Sequence, residues 1–125
     1  MANEVKPLFR PGAEVTTLTT GAVTGKTFVG VSATRDTTTG LVKVATATAA
    51  VKPFGVASYD AASGATLSVQ RGGILPVACG GAITAGAQVE VGASGKAVAL
   101  ATGVPVGTAL ETGANNTDVL IALEI

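Results

Sequence analysis

Apolar and polar residues alternate along short stretches of this chain, which is the pattern of a half-buried β-strand. A period of two places every second side chain on the same face of a strand. The segments Thr66–Gln70 and Gln88–Val91 follow this period strictly. A last strand is predicted from four apolar residues at every second position, Val119, Ile121, Leu123 and Ile125. No stretch carries the apolar stripe of an amphipathic helix, so an all-β protein is expected.

Seven further strands are predicted between turn signals. They are Glu14–Thr19, Thr27–Thr34, Leu41–Thr46, Phe54–Ser58, Ile74–Ala78, Ala97–Ala101 and Val106–Leu110. Dipeptides that favour turns separate the strands, among them Thr39-Gly40, Ser63-Gly64, Gly72-Gly73, Ser94-Gly95 and Asn115-Asn116. Short strands at this spacing predict a small β-barrel or β-sandwich-like domain.

The chain repeats itself, which predicts quasi-duplicated halves. Pro53-Phe54-Gly55-Val56-Ala57 matches Pro105-Val106-Gly107-Thr108-Ala109, 52 residues later. At the same offset Leu67 and Val69 correspond to Val119 and Ile121. Upstream, Ala22-Val23-Thr24 resembles Ala82-Ile83-Thr84. Both halves are therefore expected to follow one plan, with a Gly-marked turn, a hairpin, a Pro-x-Gly-x-Ala segment and a last strand.

The first residues differ from the rest, and we interpret residues 1–13 as an extended N-terminal arm on a single β domain of residues 14–125. Pro7 and Pro11 limit regular strand pairing, yet the arm also carries the apolar residues Val5, Leu8 and Phe9. Two interpretations stay open at this point. The arm either lies back on its own domain or becomes ordered on a partner.

Composition indicates a thin core and an uncharged surface. The chain has 125 residues and is 47% hydrophobic but only 3% aromatic, so small side chains dominate its apolar content. Such a core removes little area from water, and contact with further subunits is one remedy. Eight basic and eight acidic residues give a formal net charge of zero, and the basic residues are scattered. Nucleic acid is therefore an unsuitable partner, because its binding depends on clustered positive charge.

The residues that usually carry catalysis or bind metals are scarce, so we expect no enzyme, no cofactor, no metal site and no small-molecule substrate. The chain has no histidine and one cysteine, Cys79, which is expected to be a buried core residue. Its eight carboxylates are dispersed. The segment Gly21–Thr27 resembles a phosphate-binding loop but has one residue too few between its glycines, and a strand follows where a helix is required.

Targeting signals are not predicted either. The N-terminus lacks the apolar stretch of a secretory signal, and no apolar run approaches the roughly 18 residues that a membrane-spanning helix requires. The chain is therefore expected to be made in a host cytoplasm, with no membrane partner.

The order of these segments resembles the capsid decoration, or head cement, proteins of tailed bacteriophages. The resemblance is carried from about Val15 to Ile125 by turn glycines and apolar positions. Its main segments are Gly21-Ala22-Val23, Gly40-Leu41-Val42, Pro53–Ala57, Leu67-Ser68-Val69, Gly73–Val77, Ala82–Gly86 and Pro105–Ala109.

The resemblance implies a virion protein on the outer capsid surface. It would bind the phage major capsid protein, bridge neighbouring capsid subunits and stabilise the head, and relatives commonly act as homotrimers. Within the arm, we expect Val5, Leu8 and Phe9 to be apolar capsid contacts and Arg10 to be a polar one. A partner could accept the arm as an added strand, which the two prolines would keep short.

Two other classes of function remain as alternatives. The first is a β-structured phage fibre or surface adhesin module that binds a host receptor or glycan. That function needs exposed aromatic side chains, for which Tyr59 is the candidate. The second is an enzyme whose site has no recognisable sequence signature.

Overall fold

The computed structural model describes Asn3, Val5, Lys6, Leu8 and residues 11–125, and the fold over these residues is built from β-strands. The strands are β1 (Glu14–Thr19), β2 (Phe28–Ala33), β3 (Val42–Thr46), β4 (Gly55–Ala57), β5 (Thr66–Gln70), β6 (Ile74–Ala78), β7 (Gln88–Val91), β8 (Ala97–Ala99), β9 (Gly107–Ala109) and β10 (Asp118–Leu123). A single 3-10 turn at Ala93–Gly95 separates β7 from β8. All ten strands predicted from the alternation are confirmed, and the all-β class with them.

The first five strands form a closed barrel in the order β1-β3-β2-β4-β5. Closure depends on β1, which pairs with β5 in an antiparallel manner and with β3 in a parallel manner. A closed barrel leaves no free sheet edge, which suits a chain with few charged residues to protect an edge. The predicted barrel is thus confirmed for the first half of the chain.

The last five strands form a second sheet in the order β6-β10-β9-β7-β8. Its two outer strands approach each other, since Cys79 and Ala97 form an isolated parallel bridge. Gly80 N–H donates to the Ala97 carbonyl at 2.8 Å, just as Thr20 N–H donates to the Val44 carbonyl at 2.9 Å in the first barrel. The second half therefore has the same plan as the first, with closure reduced to this bridge.

Strand registers confirm the predicted duplication residue by residue. The pair Thr17 and Leu67 of β1 and β5 corresponds to the pair Val77 and Val119 of β6 and β10. The offset is thus 60 residues before the hairpin of each half and 52 residues after it. Isolated bridges follow the same rule, since Val23–Ala61 is repeated as Ile83–Gly113. The offset changes because the connection between β2 and β3 is longer than that between β7 and β8.

The two halves share a core. One cluster of buried side chains fills the first barrel and includes Val29, Leu67 and Val69. The other fills the second half and also takes in Phe28 and Val56 from β2 and β4. Phe28 has no exposed surface, because the second half covers the outer side of its strand. Valine is the commonest residue of this core, which agrees with the thin core expected from composition.

Backbone hydrogen bonds also join the halves. Ala78 N–H donates to the Lys26 carbonyl, and Ala50 N–H donates to the Val91 carbonyl, both at 2.8 Å. The two barrels therefore hold a fixed relation to each other, and the outward faces of both halves belong to one continuous surface.

Candidate functional site

The N-terminal arm carries the contact residues predicted from sequence. Val5 is 93% exposed and Leu8 is 63% exposed, so both aliphatic side chains are available to a partner. Phe9 and Arg10 lie outside the described residues. The arm joins the first barrel beside Arg71, whose N–H donates to the Ala13 carbonyl at 2.8 Å.

Arg71 also forms one end of an open groove on the first half. Its guanidinium lies 4.5 Å from the centre of the Phe54 ring, and its Nε donates to the Phe54 carbonyl at 2.8 Å. These contacts hold the cation in place, since stacking and hydrogen bonding restrain the same group. The groove has a volume of about 490 Å³, and we call it the first-half groove. The lining residues that matter below are Gly30, Val31, Thr48, Lys52, Phe54 and Arg71.

The outward face of the first barrel is polar and hydrogen-bonded. On β1 and β5 the Glu14 carboxylate accepts hydrogen bonds from Ser68 Oγ at 3.0 Å and from Gln70 Nε2 at 3.1 Å. Gln70 Nε2 also donates to Ser58 Oγ at 3.2 Å. These side chains satisfy one another at the surface, so this face has no need of a partner.

The corresponding face of the second half is apolar. Ile74, Leu110 and Leu120 occupy the positions that Glu14, Ser58 and Ser68 occupy in the first half. They are 61%, 48% and 40% exposed, respectively. Pro76 pairs with Leu120 across β6 and β10 and is also exposed. We call these four residues, Ile74, Pro76, Leu110 and Leu120, the apolar face.

An exposed group of large aliphatic side chains marks a contact surface more often than scattered single ones do. The apolar face was not predicted from the sequence. Its residues become neighbours only through the pairing of β6 with β10 and through the hydrogen bond from Leu110 N–H to the Leu120 carbonyl. A signal was present in β6, where Ile74, Leu75, Pro76 and Val77 are all apolar although one face of the strand is outward.

Charged side chains on the described residues pair locally and do not converge on one site. Lys26 Nζ lies 2.7 Å from Asp118 Oδ2 across the two halves, and Lys43 Nζ lies 3.6 Å from Asp36 Oδ1. Hydrogen bonds from the N–H and hydroxyl of Thr39, aided by Lys43, hold the pKa of Asp36 below its ordinary value. These pairs stabilise turns and the junction of the halves.

The structure brings together no set of side chains suited to metal binding. Among the described residues, no group of three or more His, Cys, Asp and Glu side chains lies close enough to hold an ion. Cys79 is buried in the second half, as predicted, and burial together with the negative Asp118 raises the pKa of its thiol. Lys26 of the loop-like segment Gly21–Thr27 is followed by strand β2 and not by a helix.

Comparison with known proteins decides the family. The family model described as phage cement protein matches residues 9–125, nearly the whole chain. The chain belongs to the phage cement protein family. It is therefore a structural protein associated with the phage head, in agreement with the resemblance seen in its sequence.

A solved structure with the same fold extends this comparison. The chain is similar to the head fiber gp8.5 N base of bacteriophage phi29, with a TM-score of 0.74 and 20% sequence identity over 89% of this chain and 92% of that one. At this identity the likeness establishes the fold. No curated protein matches the chain. Within the part of this cement protein that the structure describes, no helix has the length and apolarity needed to cross a membrane.

Tyr59, the aromatic residue on which a glycan-binding function would depend, is 49% exposed. Its hydroxyl accepts a hydrogen bond from Ser68 N–H at 3.2 Å, which fixes the ring beside β5. In this cement protein the ring thus closes one side of the polar face of the first barrel.

Proposed function

We propose that this cement protein binds the outer surface of the assembled phage head, bridges neighbouring major capsid subunits and thereby stabilises the shell. The observation that carries the proposal is the apolar face, which replaces a self-satisfied polar face at equivalent positions of the duplicated fold. A structural protein that exposes such a face gains free energy by covering it with other protein.

We further propose that the apolar face is covered by a neighbouring copy within a homotrimer. Interfaces between permanent partners are more apolar than transient ones, and Ile74, Leu110 and Leu120 supply this character without a charged residue among them. The thin core supports the same conclusion, because a neighbour adds burial that the single chain lacks.

The arm, residues 1–13, is proposed to contact the shell through Val5, Leu8, Phe9 and Arg10. The high exposure of Val5 and Leu8 supports this role, since neither side chain is held against the barrel to which the arm is attached. Residues 14–125 act as the single domain that carries the arm, a view supported by the shared core of the two halves.

Multivalency explains how weak contacts can hold the protein on a head. Once one subunit of a trimer has bound, the second and third contacts become intramolecular, and the overall affinity can exceed that of one contact by about 10²–10⁴. Binding to the assembled shell and not to its separated subunits stabilises the shell by mass action.

The experiment that tests the function uses heads assembled without this protein. Purified protein is added, bound protein is measured by co-sedimentation, and the temperature at which the heads break is recorded with and without it. We expect saturable binding and a higher breaking temperature. Heads that bind no protein, or that break at the same temperature when fully decorated, would contradict the proposal.

The contact between copies is tested separately with the double variant Ile74→Thr/Leu120→Ser. Sedimentation equilibrium of the wild type is expected to give a trimer, and the double variant is expected to be monomeric at the same concentration. Val104→Thr is a matched control, because Val104 is 39% exposed but lies outside the apolar face. Unchanged association of the double variant would show that this face does not join copies.

The arm is tested by deletion of residues 2–12. The truncated protein should keep its fold, since the first strand begins at Glu14, and should lose most of its affinity for heads. Full affinity of the folded, truncated protein would rule the arm out as a capsid contact.

A further inference from the structure

The two halves differ at one position that controls whether a groove is open or filled. Gly30 of β2 and Glu90 of β7 are equivalent, because each follows the residue that pairs with the central Gly of a Pro-x-Gly-x-Ala segment. Val29 pairs with Gly55 in the first half, and Val89 pairs with Gly107 in the second. The difference between a hydrogen atom and a carboxylate side chain therefore arises at the same place in the same fold.

Glu90 fills the groove of the second half with its own side chain. The residue is only 5% exposed, and its Oε1 accepts a hydrogen bond from Ala101 N–H at 2.8 Å. Its Oε2 lies against Gly103 and has no hydrogen-bond donor. The second half thus shows that this fold accommodates a carboxylate here, and that the backbone N–H two residues after β8 binds it.

The first-half groove is open at the corresponding place. Gly30 has no side chain, and an added Cβ would meet only Ala47 at 3.8 Å or more. Thr48 N–H is the counterpart of Ala101 N–H, since the neighbouring bonds from Ala47 N–H to the Phe28 carbonyl and from Leu100 N–H to the Gln88 carbonyl are also equivalent. Thr48 N–H has no acceptor among the residues that the structure describes. A donor and a space for a carboxylate are both left free.

Charge around the first-half groove matches such a ligand. Lys52 and Arg71 line it, and no aspartate or glutamate does. Lys52 has no ion-pair partner among the described residues, whereas Lys26 and Lys43 each have one. Val31, which is 63% exposed, and Phe54 provide apolar surface beside the two cations. The groove thus suits an extended segment with an acidic side chain flanked by apolar ones.

We propose that the first-half groove binds an acidic side chain from an extended segment of the shell protein. This inference rests on the proposed function, and it names the partner chemistry of a second contact with the head. The incoming carboxylate takes the place that Glu90 occupies in the second half. It accepts the hydrogen bond of Thr48 N–H and pairs with Lys52. The shell is chosen over a second copy because the apolar face already provides the contact between copies.

The test is to make the first half fill its own groove with the variant Gly30→Glu. The residue has room for a side chain, and the second half carries the same residue in the same place, so the variant should fold and keep the association state of the wild type. Its affinity for heads lacking this protein is expected to fall about tenfold or more. Gly30→Ala is the matched control, since a methyl group leaves the groove open, and it should bind as the wild type does.

A second variant tests the charge without altering the groove. Lys52→Met should weaken binding to heads and make it less sensitive to salt, because one charge-assisted contact is removed. Lys52→Arg keeps the charge and should restore most of the affinity. Lys52 is exposed, so both variants are expected to fold even if Gly30→Glu does not.

The outcomes separate the groove from the function on which it rests. If the wild-type protein does not bind heads at all, the proposed function fails. If the wild type binds and Gly30→Glu and Lys52→Met bind equally well, the groove assignment is wrong while the function stands. If Gly30→Glu changes self-association but leaves head binding intact, the occupant is a second copy, which also overturns the assignment.

Discussion

The α-carbon of Gly103 lies directly against the carboxylate of Glu90 in the second half. A Cβ at position 103 would overlap Glu90 Oε2 and would also lie 2.8 Å from the α-carbon of Ala50. Gly103 is therefore where the loop after β8, the buried side chain of β7 and the loop after β3 of the first half meet. Only a residue without a side chain allows all three to pack together.

Replacing Gly103 with alanine is expected to destabilise the protein by about 1–3 kcal/mol, because the added methyl group must displace backbone or a buried carboxylate. The free energy of unfolding is measured by urea denaturation. Gly81→Ala is the matched control, since nothing lies within 4 Å of its Cβ position. The control should change stability by less than about 0.5 kcal/mol. Equal effects of the two substitutions would contradict the close packing of Gly103.

Thr17→Val is expected to change the free energy of unfolding by no more than about 1 kcal/mol, although Thr17 is fully buried. Its hydroxyl donates to the Leu67 carbonyl at 2.9 Å, but the equivalent residue of the second half is Val77, which packs in the same register without that bond. Thr17→Ala, which also leaves a cavity, should cost about 1–2 kcal/mol. A larger loss for valine than for alanine would show that the hydroxyl itself stabilises the barrel.

The turn at Asp36 is expected to give the protein an acid-sensitive part of its stability. Because the folded-state pKa of Asp36 is lowered, its contribution is present above its ordinary value of 3.8 and is lost as pH falls through the folded-state value. Wild type and Asp36→Ala should differ in unfolding free energy at pH 6 and converge in strong acid.

Lys43→Met serves as the comparison for Asp36, because it removes the ion pair while leaving both hydrogen bonds from Thr39 in place. Those bonds are the larger cause of the shift, so Lys43→Met should have the smaller effect. A difference between wild type and Asp36→Ala that stays constant down to pH 2 would refute the role of this carboxylate.

Cys79 is expected to be unreactive toward thiol reagents in the folded protein, since its side chain is fully buried. Its raised pKa means that the folded state favours the neutral thiol. The unfolded chain loses its proton near the ordinary value of 9.0, so this part of the stability is present below that pH and decreases above it.

The check on Cys79 is urea denaturation of wild type and Cys79→Ala between pH 7 and pH 10.5. The wild type should be more stable by about 1 kcal/mol at pH 7, and its advantage should shrink at the alkaline end. Rapid labelling of the native protein, or an advantage that grows with pH, would show that the thiol is accessible or ionised in the fold.

Much of the fold could be predicted because its determinants are local. Alternation at Thr66–Gln70 and a Gly-rich turn before Ile74 specify strands and their ends without reference to distant residues. The match of Pro53–Ala57 with Pro105–Ala109 predicted that β4 and β9 are equivalent, which their pairing with β2 and β7 confirms. The change of offset between the halves was also visible, since the upstream segments match at 60 residues.

The contact surfaces could not be predicted in the same way, because they depend on pairing between distant strands. Leu110 and Leu120 become neighbours of Ile74 only when β10 lies between β6 and β9. Glu90 alternates with Val89 and Val91 as an outward residue should, yet it is buried. Its burial results from two loops that fold over it, and no local pattern records that event. The arm residues were found by composition, which identifies apolar side chains that a barrel does not need.

The unequal hairpins of the two halves have a practical consequence. Seventeen positions separate Val29 from its partner Thr46, whereas ten separate Val89 from its partner Ala99. The fold is thus compatible with two lengths of chain at this place, and the extra residues of the first half, around Thr37 and Thr38, are exposed. Lengthening a loop that already spans fixed strand ends adds little entropic cost. A peptide or small tag grafted between Thr37 and Thr38 should therefore be displayed by the barrel, which would make the chain a carrier for foreign sequences.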